Sequence, residues 1–333
     1  MVNVADLPGI GALEDELARI ETVLRRSVSV KDPLLSQVAE HLIAAGGKRI
    51  RPLLTIAAAS ACGGKVSEEV LQAGVAVELV HLASLYHDDV MDEASTRRAV
   101  ASVNARWGNL VAVVTGDFLL ARAAEIAASL GSEPARMLAQ TLGRMCEGQV
   151  AELNATFDAS RSEDSYALAV SGKTASLLAC SCGLGALTAG ASQQDTEALS
   201  RFGEAFGMVF QIRDDILDVV GSEEILGKEP GQDLAKGIYT LPVLVALEDR
   251  GLGAELAAML GAELSDQERE TARALVAASN GPAAALAAAR SWADQAVEAT
   301  NSLPPSMAKE ALRRLPHALL DNMSVPVASN ARP

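Results

Sequence analysis

Aromatic side chains are scarce in this chain: two Trp, three Tyr and five Phe among 333 residues. Reading single-stranded nucleic acid needs aromatic platforms for the bases, and gripping a duplex needs a basic patch. Here 28 Lys and Arg are outnumbered by 43 Asp and Glu, giving a net charge of −15, so no nucleic acid is expected as a partner. Cysteine is also sparse. Cys62, Cys146, Cys180 and Cys182 form no CxxC pair and lack histidines at metal-ligand spacing, so they read as reduced, buried thiols. The N-terminal stretch Met1–Asp15 lacks the basic start and apolar core of a secretory signal, and a cytoplasmic protein is expected. One uncharged stretch, Thr174–Gln194, is long enough to span a bilayer. It is rich in Gly, Ala and Ser and holds only four Leu, so it reads as a closely packed core helix, and no transmembrane segment is expected.

Strand-like alternation is absent too. Apolar residues instead recur at three and four spacing through thirteen segments. They are Leu13–Leu24, Leu34–Ala45, Leu53–Ala61, Val70–His87, Leu110–Leu130, Pro134–Leu153 and Tyr166–Ala189. Then come Leu199–Val220, Leu241–Leu247, Ala254–Leu260, Glu268–Ala278, Ala283–Thr300 and Met307–Leu319. Ser67 before Glu68-Glu69 and Ser306 before Met307 are helix-start signals. The breaks are short, at Gly63-Gly64, Gly131–Pro134, Thr156–Glu163 and Pro304-Pro305, with one longer charged and Gly-rich break at Gly221–Tyr239. No linker separates domains. The expectation is all-α: one domain over residues 1–333, a large bundle.

What is abundant is acid, and it is patterned. Asp88-Asp89-Val90-Met91-Asp92 and Asp214-Asp215-Ile216-Leu217-Asp218 repeat one spacing, each at the end of an apolar helical run. Residues four apart share a helix face, and like charges there repel. A hard divalent cation, which prefers carboxylate oxygen, would offset that cost. One such cluster reads as a solvated helix end; two with identical spacing read as facing metal sites.

Cations surround them. Gly46-Gly47-Lys48-Arg49-Ile50-Arg51-Pro52 places three after a Gly pair, suited to holding a diphosphate, although a plain basic turn fits equally. Arg97-Arg98 follows the first acidic motif. Gly172-Lys173-Thr174 lacks the upstream Gly of a P-loop and lies inside a helical pattern, so that reading fails. Lys228 and Asp233 occupy the Gly-rich break, where a substrate clamp and a solvated loop both remain open. Lys236 is left without a role, and Arg332 is a candidate diphosphate contact.

In order along the chain, GGKRIRP, HLASLYHDDVMDEASTRR, TGDFLLA, GKTASL, FQIRDDILD, GK-x-x-G-x-D and TLP resemble the trans-isoprenyl diphosphate synthases over roughly Leu34–Leu247. The two-residue gap in DDVMD is similar to the bacterial long-chain branch. The resemblance implies antiparallel helices around a deep central cavity, a homodimer, and Mg²⁺-dependent condensation of isopentenyl diphosphate with an allylic diphosphate. A transient membrane contact for product release belongs to the same expectation. The resemblance further implies that Asp88, Asp92, Asp214 and Asp218 bind metal, with Asp89 and Asp215 completing the catalytic set. Arg97, Lys173 and Lys228 would hold the allylic diphosphate, and Lys48, Arg51, His81 and Arg98 the isopentenyl diphosphate. Thr174, Phe210 and Gln211 would flank the reacting carbons.

Ser84 lies one turn, ~5.4 Å, below Asp88. The family places a chain-length gate there and at Ala83. Both are small, which implies a product in the heptaprenyl to decaprenyl range. Other readings are a short-chain farnesyl or geranylgeranyl synthase, a terpene cyclase, a non-catalytic subunit and a calcium-binding helical protein. The intact second motif weighs against the cyclase and the subunit, and the surrounding cations against the calcium binder.

Overall fold

The computed structural model describes residues 14–226, 229–321 and 323. It is helical almost throughout. The N-terminal half runs α1 (Glu14–Val28), α2 (Pro33–Ala44), α3 (Ile50–Ala61) and α4 (Glu68–Met91), then α5 (Val103–Trp107), α6 (Asn109–Leu130) and α7 (Ser132–Asn154). Next come α8 (Glu163–Val170), a π-helical turn at Ser171–Ala175, α9 (Ser176–Thr188) and α10 (Gln193–Val220). The remainder is α11 (Glu223–Leu226), α12 (Gln232–Ala235), α13 (Leu241–Leu247), α14 (Gly253–Met259), α15 (Asp266–Ala278), α16 (Gly281–Ala299) and α17 (Met307–Leu320).

Local chemistry explains the boundaries. Asp32, Ser67, Ser102, Ser162, Ser192, Ser265 and Ser306 each precede a helix and accept a backbone N–H from its first turn, which satisfies donors that the helix cannot use itself. Ser265 adds a reciprocal capping box with Glu268. The break expected over Gly131–Pro134 shrinks to Gly131, which adopts φ +129° and turns α7 back onto α6.

The uncharged segment is indeed a core helix. Every residue of α9 from Ser176 to Ala186 is buried. The continuous helical stretch Glu163–Thr188 is long and apolar enough to cross a bilayer, yet 67% of its most apolar window is buried inside the protein. α9 lies against α3, α4, α7 and α10. Its contact with α3 is close: a Cβ on Gly185 would stand 2.0 Å from the Thr55 carbonyl oxygen.

Sequence pattern missed three features. A hairpin, β1 (Thr96–Arg97) paired antiparallel with β2 (Val100–Ala101), follows the first acidic motif. The Gly-rich break contains the helical turns α11 and α12. The GKT segment forms the π-turn rather than regular helix.

Gly185→Ala should lower the unfolding free energy by about 1–3 kcal/mol through overpacking. Denaturant titration measures this, and an unchanged midpoint would show that α3 and α9 can separate without cost.

Candidate active site

Both acidic motifs close long helices. Asp88 and Asp89 lie in the last turn of α4 with Asp92 as its C-cap, and Asp214–Asp218 ends two residues before α10 does. Carboxylates at a helix C-terminus face the negative end of its dipole, so these sites call for cations.

The repeat in sequence is not a repeat in environment. Asp88 and Asp214, first in each motif, are half-exposed. Their neighbours Asp89 and Asp215 are buried and held by protein donors. Arg97 grips Asp89 Oδ1 through Nη2 at 2.6 Å and Nε at 2.8 Å. Asp215 accepts from the Tyr166 hydroxyl and, at 2.8 Å, from Gln211 Nε2, while Thr174 Oγ1 donates to Gln211 Oε1 at 2.9 Å. Burial pushes the Asp215 carboxyl up to about 8. The third residues diverge. Asp92 is exposed, with Lys236 Nζ 3.5 Å away. Asp218 is 4% exposed and its Oδ2 accepts the Asp233 N–H at 3.2 Å, so this oxygen holds the following loop.

Lys173 comes into this arrangement on the π-turn. α7 crosses the turn so closely that a Cβ on Gly148 would lie 2.3 Å from Lys173 N, and one on Gly172 2.7 Å from the Arg144 carbonyl oxygen. Arg144 binds both Glu204 and Ser171, fixing the turn between α7 and α10. Lys173 Nζ meets Glu152 at 2.5 Å. Burial opposes its charge, but Glu152, Asp88 and Asp92 together raise its pKa. Burial likewise raises the pKa of Asp88, with Asp92 and Glu152 adding repulsion against the pull of Lys173 and Arg97.

Two cavities share this lysine. A polar chamber of about 150 Å³ lies between the motifs, lined among others by Asp92, Glu152, Lys173, Thr174, Gln211 and Asp215. A larger cavity of about 610 Å³ runs between α4, α6 and α7. Arg51, His81, Asp88, Lys173 and Thr174 line its polar side, while Val80, Leu120, Leu142 and Met145 are among its apolar lining, with Ser84 also in the wall.

The basic loop Gly46–Pro52 divides its charges. Arg49, at φ +48°, turns inward, with Nε 2.9 Å from Glu21 and Nη1 3.0 Å from the buried Glu78. Arg49 is therefore an anchor. Arg51 lines the large cavity and its buried Nε has no hydrogen-bond partner; Lys48 is exposed. The hairpin turn sends its arginines apart: Arg97 to Asp89, and Arg98 Nη1 to the carbonyls of Leu42, at 2.9 Å, and Gly46. His81 is enclosed by burial and by Arg51, Arg98, Arg49 and Arg97, which hold its pKa well below the usual imidazole range, so it is neutral at physiological pH.

Several sequence expectations are corrected or bounded. Ala83 is fully buried in the core and does not line the cavity, whereas Ser84 does; a step of one residue turns a helix side chain by about 100°. Phe210 is half-buried against Phe206, ring centroids 6.5 Å apart. Lys228 and Arg332 lie outside the described residues. Lys236, which sequence reasoning left without a role, adjoins the first motif. Glu152 and Tyr166, also missed, lie in no acidic repeat or Gly-rich segment that would have singled them out.

Among the described residues no three His, Cys, Asp or Glu side chains converge closely enough to hold an ion alone. Mg²⁺ is usually held by one or two carboxylates together with substrate phosphates. The half-exposed Asp88 and Asp214 and the exposed Asp92 are hard oxygen donors of that kind, so they fit an ion that is shared with a diphosphate.

A model described as polyprenyl synthetase matches residues 32–278. This chain belongs to the polyprenyl synthetase family. It is a trans-polyprenyl diphosphate synthase, a prenyltransferase of isoprenoid biosynthesis. It is 39% identical over 316 residues to nonaprenyl diphosphate synthase of Mycobacterium tuberculosis, covering 94% of each chain. A decaprenyl diphosphate synthase structure from Rhodobacter capsulatus superposes with TM-score 0.87 at 32% identity, over 97% of this chain and 99% of that one. A polyprenyl synthase structure from Caulobacter crescentus, complexed with calcium and isoprenyl diphosphate, gives TM-score 0.89 at 33% identity over 96% and 99%. These neighbours share the all-α isoprenoid synthase fold.

Two predictions follow from this geometry. Gly148→Ala should displace the π-turn, cost about 1–3 kcal/mol and lower turnover; full activity at unchanged stability would free Lys173 from that crossing. The second concerns pH. Folded His81 resists protonation, whereas the unfolded chain takes up that proton near pH 6.5. Its contribution to stability is therefore lost as pH falls below about 6.5. His81→Gln should flatten the decline in unfolding free energy between about pH 7 and 5 relative to wild type; parallel curves would mean that His81 titrates normally.

Proposed function

We propose that this synthase condenses isopentenyl diphosphate with an allylic diphosphate to make a long-chain all-trans product, using Mg²⁺. The observation that carries this reading is the shared wall at Lys173 and Thr174, where a polar chamber between two acidic motifs meets a long apolar cavity. A molecule with an anionic head and a hydrocarbon tail has both of its environments there.

Asp88, Asp92 and Asp214 hold the metal in this reading, with Asp218 shaping the adjoining loop and Asp89 and Asp215 fixed as supports. Bound Mg²⁺ would supply Lewis-acid stabilisation of the departing diphosphate. Lys173, Lys236 and Arg97 add positive charge on the allylic side. The allylic C–O bond breaks with its electron pair leaving on the diphosphate. Arg51 and the neutral His81, with Lys48 and Arg98, hold isopentenyl diphosphate so that its double bond attacks the allylic carbon. The new cation then gives a proton to the released diphosphate, its C–H electron pair forms the new double bond, and the step is complete. Thr174 and Gln211, locked by their hydrogen bond, flank that region, with Phe210 packed behind, and the apolar wall keeps water from the cation.

Relatives named for nonaprenyl and decaprenyl products support a long chain. So does a cavity that continues past Ser84 to Leu120 and Leu142. A homodimer in the cytoplasm, built from one domain per chain, belongs to the same proposal. Its support is the apolar strip on α6, where Leu110 is 78% and Val114 53% exposed, a surface of the kind that marks interfaces.

The deciding assay gives purified protein isopentenyl diphosphate, an allylic primer and Mg²⁺, with products resolved by length. Heptaprenyl to decaprenyl products are expected; a stop at farnesyl or geranylgeranyl would move the enzyme to the short-chain class. EDTA should abolish turnover, and Asp88→Ala or Asp214→Ala should lower it by a factor on the order of 100 or more; full metal-free activity would refute the metal's role. Ser84→Phe should shorten the product by blocking the cavity. Ala83→Phe should instead destabilise the core by overpacking, about 1–3 kcal/mol. The reverse pattern would place the tail on the other side of α4.

A further inference from the structure

Arg161 comes from the break between α7 and α8 into the wall of the chamber between the acidic motifs. It is 8% exposed. Its guanidinium carbon stands 5.7 Å from the centre of the Tyr166 ring. Nη1 donates to the Tyr239 carbonyl and Nη2 to the Ser165 carbonyl, both at 3.4 Å, which is long for an N–H···O bond. Nε, also buried, has no partner. Among the described residues Arg161 makes no ion pair, whereas Lys173 is paired with Glu152 and Lys236 with Asp92. Four carboxylates also line the chamber: Glu152 is bound by Lys173, Asp215 by Tyr166 and Gln211, Asp92 lies beside Lys236, and Asp233 sits on the loop tied to Asp218.

An arginine does not shed its proton when buried, and a buried charge with underused donors is costly. A small anion entering the chamber would remove that cost. A guanidinium fork suits phosphate oxygens in particular. The chamber's volume of about 150 Å³ admits a headgroup and leaves the hydrocarbon to the larger cavity.

We propose that Arg161 is a further diphosphate-binding residue, contacting the allylic headgroup and then the inorganic diphosphate left after transfer. This rests on the function proposed above. Arg51 and His81, which hold isopentenyl diphosphate in that reading, line the larger cavity and not this chamber, so Arg161 serves the allylic headgroup alone.

The test uses the full-length enzyme with Mg²⁺. Wild type, Arg161→Gln and Arg161→Lys are compared for the KM of each substrate, the inhibition constant of inorganic diphosphate, and the unfolding midpoint. Arg161→Gln should raise the allylic KM and the inorganic-diphosphate constant about tenfold or more, as loss of a charge-assisted bond implies, with the isopentenyl diphosphate KM within about twofold. Arg161→Lys keeps the charge without the fork and should fall between. Unchanged inhibition by inorganic diphosphate in either folded variant overturns the proposal. An equal rise in all three constants does so too, because it marks a mere clamp on the Tyr239 and Ser165 carbonyls. If Arg161→Gln fails to fold, Arg161→Lys decides by the same measurement. A wild-type enzyme that turns over neither substrate would defeat the proposed function itself, an outcome distinct from either variant behaving like wild type.

Discussion

Repulsion between carboxylates at the C-terminal ends of α4 and α10 is the constraint on which the rest of the site depends. Asp88 and Asp92 share a helix face, and both motifs stand where the helix dipole is unfavourable to negative charge. Burial of Asp88 makes its charge costlier still. The surrounding structure supplies cations and donors that offset this: Lys173 from the π-turn, Lys236 after α12, Arg97 from the hairpin and Tyr166 from α8. Each comes from a separate segment of the chain, so the bundle must close before the motifs are balanced.

Backbone strain is concentrated in the same place. Arg98 and Ala99 both adopt positive φ, +52° and +60°, as the centre of a type I′ hairpin turn requires, although Asn and Gly are the usual occupants. Non-glycine residues in that region cost about 1–3 kcal/mol each. The strained turn directs successive arginines to different places, Arg97 toward the acidic motif and Arg98 toward the basic loop. Arg49, at φ +48°, is likewise strained, and the Glu21 and Glu78 carboxylates hold it. Fixed in this way, the loop leaves Lys48 exposed and turns Arg51 into the large cavity.

Much of this was legible in the sequence, and the parts that were not share a cause. Helical periodicity and serine caps report local energetics, so the long helices fall close to their expected bounds. Strands of two residues are too short to show alternation, which hid the hairpin. A π-turn inserts one residue without disturbing the apolar pattern, so Ser171–Ala175 read as ordinary helix. The paired acidic motifs were plain, but their equal spacing concealed unequal burial. Asp88 lines the large cavity and Asp215 the polar chamber, while Asp89 lines neither; the hairpin's Arg97 holds Asp89, and Tyr166 of α8 holds Asp215. Arg49 looked like Lys48 and Arg51; only its distant partners Glu21 and Glu78 turn it inward. Ala83 and Ser84 likewise differ by a single helical step, which decides between core and cavity.

The glycines at the crossing of α7 with the π-turn join these threads. Gly148 and Gly172 bring two backbones within a distance that no Cβ would permit. That closeness is what lets Lys173 and Thr174 lie on the wall of both the polar chamber and the apolar cavity. If the crossing were wider, α7 and the π-turn would separate along the wall that the two compartments share. Prenyl transfer requires charge separation at a carbon bonded to both a diphosphate and a hydrocarbon tail. An enzyme for it must therefore change from polar to apolar surroundings within a bond or two. In this chain a pair of residues without side chains makes that change possible.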